Sequence, residues 1–218
     1  MIKMSKLALA AMVVFASTAV ASDGLYAGIS LGNVNAQADV NRTALNGLNY
    51  SSNSGKNSGG AGAFVGFNHL ITGTPLFMGL EANIASNNSS VLLSQVHGVN
   101  FQEKMTAQTK YSLSGVFKLG VSVNDLMLYA KAGVFKSQWR LSHQGHNPFA
   151  GNYASLIKTN SYGSVYGFGA DHKLNNNWGI GIDHNVNTSQ TISYQVADQA
   201  AKIDPVISTT SLRLTYTF

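Results

Sequence analysis

The chain has 218 residues, enough for one domain, and only 11% of them are charged, against roughly 25% in an ordinary soluble domain. Its 14 Lys and Arg against 9 Asp and Glu are spread singly along the chain, which excludes a nucleic-acid surface. The absence of Cys excludes a disulfide framework and a Cys-based metal site.

The first stretch, MIKMSKLALAAMVVFASTAVASDG, carries Lys3 and Lys6, an apolar run from Leu7 to Phe15, and then Ala19, Val20 and Ala21 in the spacing a signal peptidase reads. Residues 1–21 are therefore expected to be a cleaved secretory leader and 22–218 the mature domain. The apolar run is too short for the ~20 residues of a membrane-spanning helix. Without the two leader lysines the balance is 12 basic to 9 acidic residues, a mild +3.

No later apolar run is long enough for a membrane helix, so the informative period is two. LYAGISLG sets Leu25, Ala27, Ile29 and Leu31 against Tyr26, Gly28, Ser30 and Gly32. Residues 33–60 are rich in Asn, Ser, Gly and Ala and predict a long loop. GAFVGFNHL then resumes the alternation, a short connection ending at Pro75 follows, and LFMGLEANI places Glu81 at the centre of a third strand.

Residues 86–107 read as a second polar loop. TKYSLSGVFKLGV directs Tyr111, Leu113, Phe117 and Leu119 one way and Lys110, Ser112, Ser114 and Lys118 the other. A tight SVND turn leads to LMLYAKAGVF, in which Lys131 shares a face with Tyr129 and Gly133. After a third polar stretch at 137–158, SYGSVYGFGADHKL opposes Tyr166, Phe168, Ala170 and His172 to Val165, Gly167, Gly169 and Asp171.

An NNN turn precedes WGIGIDHNV, with Trp178, Ile180, Ile182, His184 and Val186 on one face and Asp183 on the glycine face. A fourth polar stretch covers 187–205. The last strand, SLRLTYTF, opposes Leu212, Leu214, Tyr216 and Phe218 to Arg213. The three prolines, Pro75, Pro148 and Pro205, are all expected outside strand interiors.

Eight strands joined by connections that alternate long and short predict an all-β, eight-stranded antiparallel up-and-down transmembrane β-barrel, with long extracellular loops and short periplasmic turns. Closure is obligatory in lipid, because unpaired backbone groups have no water to turn to. A soluble cup of the lipocalin type would give the same alternation in the opposite sense. It would need charges on its outer face, where this chain offers mostly Gly, Ser, Thr and Asn.

GLYAGISLG, GAFVGFN, FMGLEANI, YAKAGV, YGFGADHKLNNNWGIGIDHNV and SLRLTYTF together resemble the small outer-membrane β-barrel family that includes the OmpA transmembrane domain, OmpX-like proteins and opacity-type surface antigens. The resemblance implies that Leu212, Leu214, Tyr216 and Phe218 form an assembly signal for the barrel-assembly machinery. It also implies a monomer among outer-membrane lipid and lipopolysaccharide. Unlike full-length OmpA, the chain ends at the barrel, so no periplasmic peptidoglycan-binding domain is expected. Trp178, Tyr216 and Phe218 suit an interfacial aromatic girdle.

Glu81, Asp171 and Asp183 are expected inside the barrel with Lys110, Lys118, Lys131 and Arg213, four cations against three anions. Such charges must pair or hold water. They form either a structural plug or, as the resemblance suggests, a gate for small ions. Among six histidines only His143 and His146, in HQGH, are closely spaced. With no carboxylate or Cys beside them they are weak metal or haem ligands, and no cofactor is expected.

His184 and Ser189 lack an acid to orient the imidazole, so the chain is expected not to be an enzyme. Phe101, Phe149 and Tyr153 lie in the polar stretches, which are the candidate surfaces for a host ligand. The expected function is that of an outer-membrane structural protein or surface antigen, with adhesion or host-ligand binding through its loops. The alternatives are a small channel with a charged gate and a loop-borne haem or metal binder.

Overall fold

A computed structural model describes residues 24–43, 49–87, 90–97, 102–147, 151–196 and 199–218. The expected leader lies outside them. Ten strands occur among the described residues: β1 (Gly24–Thr43), β2 (Asn49–Leu70), β3 (Leu76–Asn87), β4 (Ser90–His97), β5 (Gln102–Val123), β6 (Leu126–Asn147), β7 (Gly151–Lys173), β8 (Trp178–Ser189), β9 (Ile192–Val196) and β10 (Gln199–Thr217).

They make eight staves. β3 and β4 pair successive parts of β5, from Leu76↔Val121 up to His97↔Gln102, and β8 and β9 pair successive parts of β10 in the same way. Each neighbour is antiparallel, and β1 pairs with β10 from Tyr26↔Thr217 to Thr43↔Ala200 to close the sheet on itself. The up-and-down barrel expected from the alternation is the fold of the chain.

Alternation sorts the side chains in the lower part of the wall. Leu31, Leu80, Val134, Phe168 and Leu212 all point out and are more than 60% exposed. Tyr26, Phe64, Phe77, Tyr129 and Phe135 point in and are buried. An apolar exterior of this kind is suited to hydrocarbon.

The short connections behave as expected. Residues 71–75 are fastened by Ile71 N to Leu76 O at 2.8 Å, with Gly73 at φ 78°. Asn124, at φ 53°, and Asp125 join β5 to β6, and Asn175 Oδ1 accepts the Trp178 amide at 2.8 Å in the turn before β8. Asn tolerates the left-handed conformation better than other side chains do.

The long connections differ from the expected loops. Most of residues 33–60, 102–107, 137–147 and 151–158 continue the strands, so the wall rises well above the apolar band. Here the faces invert. In NVNAQAD of β1, Val34, Ala36 and Ala38 are buried inside while Asn35, Gln37 and Asp39 point outward.

These three pack with Met105, Ala107, Trp139, Leu141, Ile192, Ile203 and Ile207 into an apolar core that crosses the interior from β1, β9 and β10 to β5 and β6. Water surrounds this part of the barrel, so burying apolar groups within it is favourable, as in a soluble protein. Trp139 is 1% exposed, and its indole nitrogen donates to Ser137 Oγ at 2.8 Å.

Pro205 is a second departure, since it lies inside β10 opposite Ala38 and is fully buried. It is accommodated because the neighbouring stave is broken at that level. β8 pairs β10 only up to Val206 and β9 only from Ile203. A residue without an N–H therefore sits where the ladder on one side is already interrupted. Thr191, in the break, donates its hydroxyl to Asp204 Oδ1 at 2.5 Å. Pro75 precedes β3 as expected, and Pro148 lies outside the described residues.

Replacing Trp139 with Ala should cost about 3–5 kcal/mol, the usual result of emptying a packed aromatic site. Folded protein in detergent should then show protease cleavage within the upper parts of β5 and β6 while the membrane-level strands stay protected. Unaltered resistance there would contradict the packing described.

Candidate functional site

At the level of the apolar band the interior holds a compact set of charges. Alternation delivers Glu81 from β3, Lys118 from β5, Lys131 from β6, Asp171 from β7, Asp183 from β8 and Arg213 from β10 to the inner face. Arg213 is the hub, with Nη2 2.5 Å from Glu81 Oε2 and Nη1 2.7 Å from Asp183 Oδ2. Lys131 Nζ lies 2.5 Å from Asp183 Oδ2 and 3.9 Å from Glu81 Oε1.

Lys118 joins from the other side, 3.5 Å from Glu81 and 3.8 Å from Asp171. The Tyr26 hydroxyl of β1 donates to Glu81 Oε2 at 2.8 Å, and Ser211 donates to Asp183 Oδ1 at the same distance. Rings complete the shell. The Arg213 guanidinium lies 3.9 Å from the Phe64 centroid of β2, and Lys118 Nζ lies 3.9 Å from that of Tyr129. Cations over ring faces are favoured when desolvated.

Every stave thus contributes to one cluster of three acids and three bases, and its formal charge is zero. Six of the seven charges expected inside meet there. Lys110 does not. The β5–β6 register shifts between Thr109 and Ser112, so two residues of β5 intervene where strict alternation allows one. Thr109 and Ser112 are both buried, Tyr111 is exposed, and Lys110 is half-exposed. The bulge displaces Lys110 from the inner row, and the expected excess of one cation disappears with it.

Close glycines make room for the cluster. A side-chain carbon added at Gly181 would collide with the Asp171 carboxylate, and one at Gly66 with the Tyr26 hydroxyl and ring. Above the cluster is a cavity of about 70 Å³ lined by Ser114, Asn185, Asn187, Thr209, Lys131 and Arg213. It has room for a few waters beside polar atoms such as Asn187 Oδ1, which has no protein partner. The apolar core of the upper barrel lies beyond it.

The remaining expected sites are placed as follows. Trp178, Tyr216 and Phe218 form an edge-to-face row at the short-turn rim, with centroids 5.1 and 5.2 Å apart. Leu212 and Leu214 point outward on β10, and the Phe218 amide donates to Leu25 O at 3.0 Å.

His143 and His146 belong to β6 and not to a loop, paired with Met105 and Gln102 of β5. Their side chains lie outside the description, and no group of three metal-ligating side chains occurs among the described residues.

His184 contacts Thr210 Oγ1 at 2.9 Å and Phe168 at 5.6 Å on the outer face, whereas Ser189, five positions on, takes the opposite face. They do not form a pair. His172 is likewise exposed on the outer face, near the short-turn end. Phe101 and Phe149, and the side chain of Tyr153, lie outside the description.

The outer membrane protein beta-barrel domain model matches residues 7–218. The chain belongs to this family. It is therefore an outer-membrane β-barrel, and its long staves rise on the extracellular side. No curated protein matches it.

Among solved structures, OprG from Pseudomonas aeruginosa is similar at 14% identity and a TM-score of 0.52, over 90% of this chain and 98% of that one. The protease OmpT from Escherichia coli matches at 13% and 0.45, over 93% and 99%. Ail, the attachment invasion locus protein of Yersinia pestis, matches at 12% and 0.32, over 88% and 99%. At such identities OprG shows a shared fold and no more.

Arg213→Ala should cost about 3–5 kcal/mol, because Glu81 and Asp183 would keep their burial and lose their main counter-ion. Urea unfolding of the protein in lipid vesicles, followed by Trp fluorescence, measures this. Gly181→Ala should cost less, about 1–3 kcal/mol, by overpacking alone. If Arg213→Ala proved the milder of the two, the cluster would not be the internal tie described.

Proposed function

We propose that the protein is a closed, non-enzymatic, monomeric surface barrel, whose upper staves are a rigid platform for recognition outside the cell. The observation that carries this reading is the double block of the interior. A neutral, fully paired charge cluster fills the lumen at membrane level, and an apolar core fills it above. A conducting path needs polar continuity, and the upper core interrupts it over several residue layers.

The outer face of the upper barrel supports the recognition role. Asn35, Gln37, Asp39 and Lys202 present polar groups to water from strands that the interior core holds in place. Adhesion and antigenicity belong to this same surface. The channel reading keeps one supporting feature, the polar cavity above Arg213. The metal reading has lost its loop.

Purified protein in a planar bilayer at neutral pH should give no conductance steps while running as a heat-modifiable folded band. Steps in the folded preparation would establish the channel instead.

We also propose that Leu212, Leu214, Tyr216 and Phe218 are read by the barrel-assembly machinery, since they form the outward row of the strand that closes the barrel. Phe218→Ala should lower the amount of protein in the outer membrane several-fold, while refolding of the purified chain into detergent changes little. Equal amounts of the two proteins in that membrane would remove the assembly role.

A further inference from the structure

The outer face just above the apolar band is not evenly charged. On β5, β6 and β7 it carries Lys110, Lys136, Arg140 and Lys158, and no acidic side chain is described on the outer face of these staves above the band. The two acids described on the outer face of the upper wall, Asp39 and Asp204, stand on β1 and β10 across the barrel. On β10, Asp204 follows Lys202 by two positions and offsets it on the same face.

Register brings the four cations together. Arg140 is the direct cross-strand partner of Lys158, and Lys136 that of Tyr162, while Lys110 sits in the β5 bulge beside the segment of β6 that joins Lys136 to Arg140. Like charges placed directly opposite one another across two strands are unfavourable unless an anion comes between them. None of the four is in an ion pair among the described residues. Lys136 Nζ instead lies 5.4 Å from the Tyr162 ring centroid, and Arg140 Nε is buried without a hydrogen-bond partner.

Their height is as telling as their sign. Lys136 follows Val134, the last apolar outward residue of β6, so its ammonium stands at the hydrocarbon boundary beside exposed Tyr111 and Tyr162. Arg140 lies four residues further up, about 13 Å along the strand. The patch therefore covers the depth at which the outer leaflet places phosphorylated sugar, from the first headgroup layer outward.

We propose that this β5–β7 face is a docking site for lipopolysaccharide, with Lys136 and Lys110 taking lipid A phosphates and Arg140 and Lys158 the phosphates of the inner core. Acyl chains lie below against Leu113, Val134 and Tyr166. Arg140 presents a fork of donors suited to phosphate oxygens, and the lysines add point charges. Phosphate between Arg140 and Lys158 relieves the repulsion built into the bare strand pair. The site rests on the outer-membrane location and is independent of whether the barrel conducts or binds a host ligand.

The test compares full-length protein with the triple variant K136Q/R140Q/K158Q and the control K202Q. Each is refolded into vesicles of zwitterionic phospholipid doped with bisphosphorylated lipopolysaccharide, with its dephosphorylated form, or with phosphatidylglycerol at matched charge. Retention of labelled lipopolysaccharide and thermal stability are read together.

The wild type and K202Q should hold bisphosphorylated lipopolysaccharide roughly a hundredfold more tightly than the triple variant, each cation near an anionic surface contributing about fivefold. The wild-type preference should vanish for the dephosphorylated form. Equal retention by wild type and triple variant would overturn the proposal. So would an equal effect of phosphatidylglycerol, which would reduce the face to a generic response to negative charge, or stabilisation by inorganic phosphate alone. All four substituted side chains are on the outside of the wall, and an unchanged far-UV spectrum and heat-modifiable band confirm that the variants fold.

Discussion

Pairing of the first strand with the last is the constraint on which the rest of the molecule depends. Within hydrocarbon, an unpaired row of amides and carbonyls on β1 or β10 would cost several kcal/mol per group. The ladder from Tyr26↔Thr217 upward removes that cost and encloses a volume cut off from lipid. Everything placed in that volume, including three carboxylates at membrane depth, is possible only because the sheet is closed. Eight staves leave an interior only wide enough for side chains, so the charges meet one another directly.

One wall serves two solvents. Where lipid surrounds it, Leu and Ile face outward and charge faces inward; where water surrounds it, Val34, Ala36 and Trp139 turn inward and Asn35 and Gln37 outward. On β1 the reversal needs no change of backbone. It requires only that the apolar set moves from one parity to the other between Leu31 and Val34; on β5 the apolar set keeps its parity and the bulge between Thr109 and Ser112 turns it inward. The small outward groups of the rim and the cations of β5–β7 then meet water and phosphorylated sugar where the hydrocarbon ends.

Much of this was legible beforehand, and the gaps have physical causes. Leu and Ile against Gly in LYAGISLG and WGIGIDHNV define the membrane-level staves, because lipid demands large apolar groups and a narrow lumen demands small ones. NVNAQAD alternates as regularly, but Val and Ala among Asn and Gln give a weak contrast, and the segment resembles a polar loop until its interior partners are known. The Thr109 to Ser112 bulge has neither Gly nor Pro to announce it, so strict alternation places Lys110 inside, where the structure does not. The charges of the cluster could be named from alternation, whereas Arg213 meeting Glu81, 132 residues away, depends on the stagger of the barrel, which no local pattern carries.

The contribution of every stave to one neutral cluster also bears on how the chain enters the membrane. A sheet lacking β10 would carry Glu81 and Asp183 without Arg213, and a sheet lacking β3 would carry Arg213 and Lys118 without Glu81. Either intermediate is an excess charge in hydrocarbon and is poorly tolerated there. Counted in chain order, the balance reached at β7 is lost with Asp183 of β8 and returns with Arg213 of β10, the strand whose pairing with β1 is the longest loop closure in the chain. The last two strands therefore belong together: a sheet that stops at β8 carries an unbalanced carboxylate inside, and β10 both neutralises it with Arg213 and closes the wall.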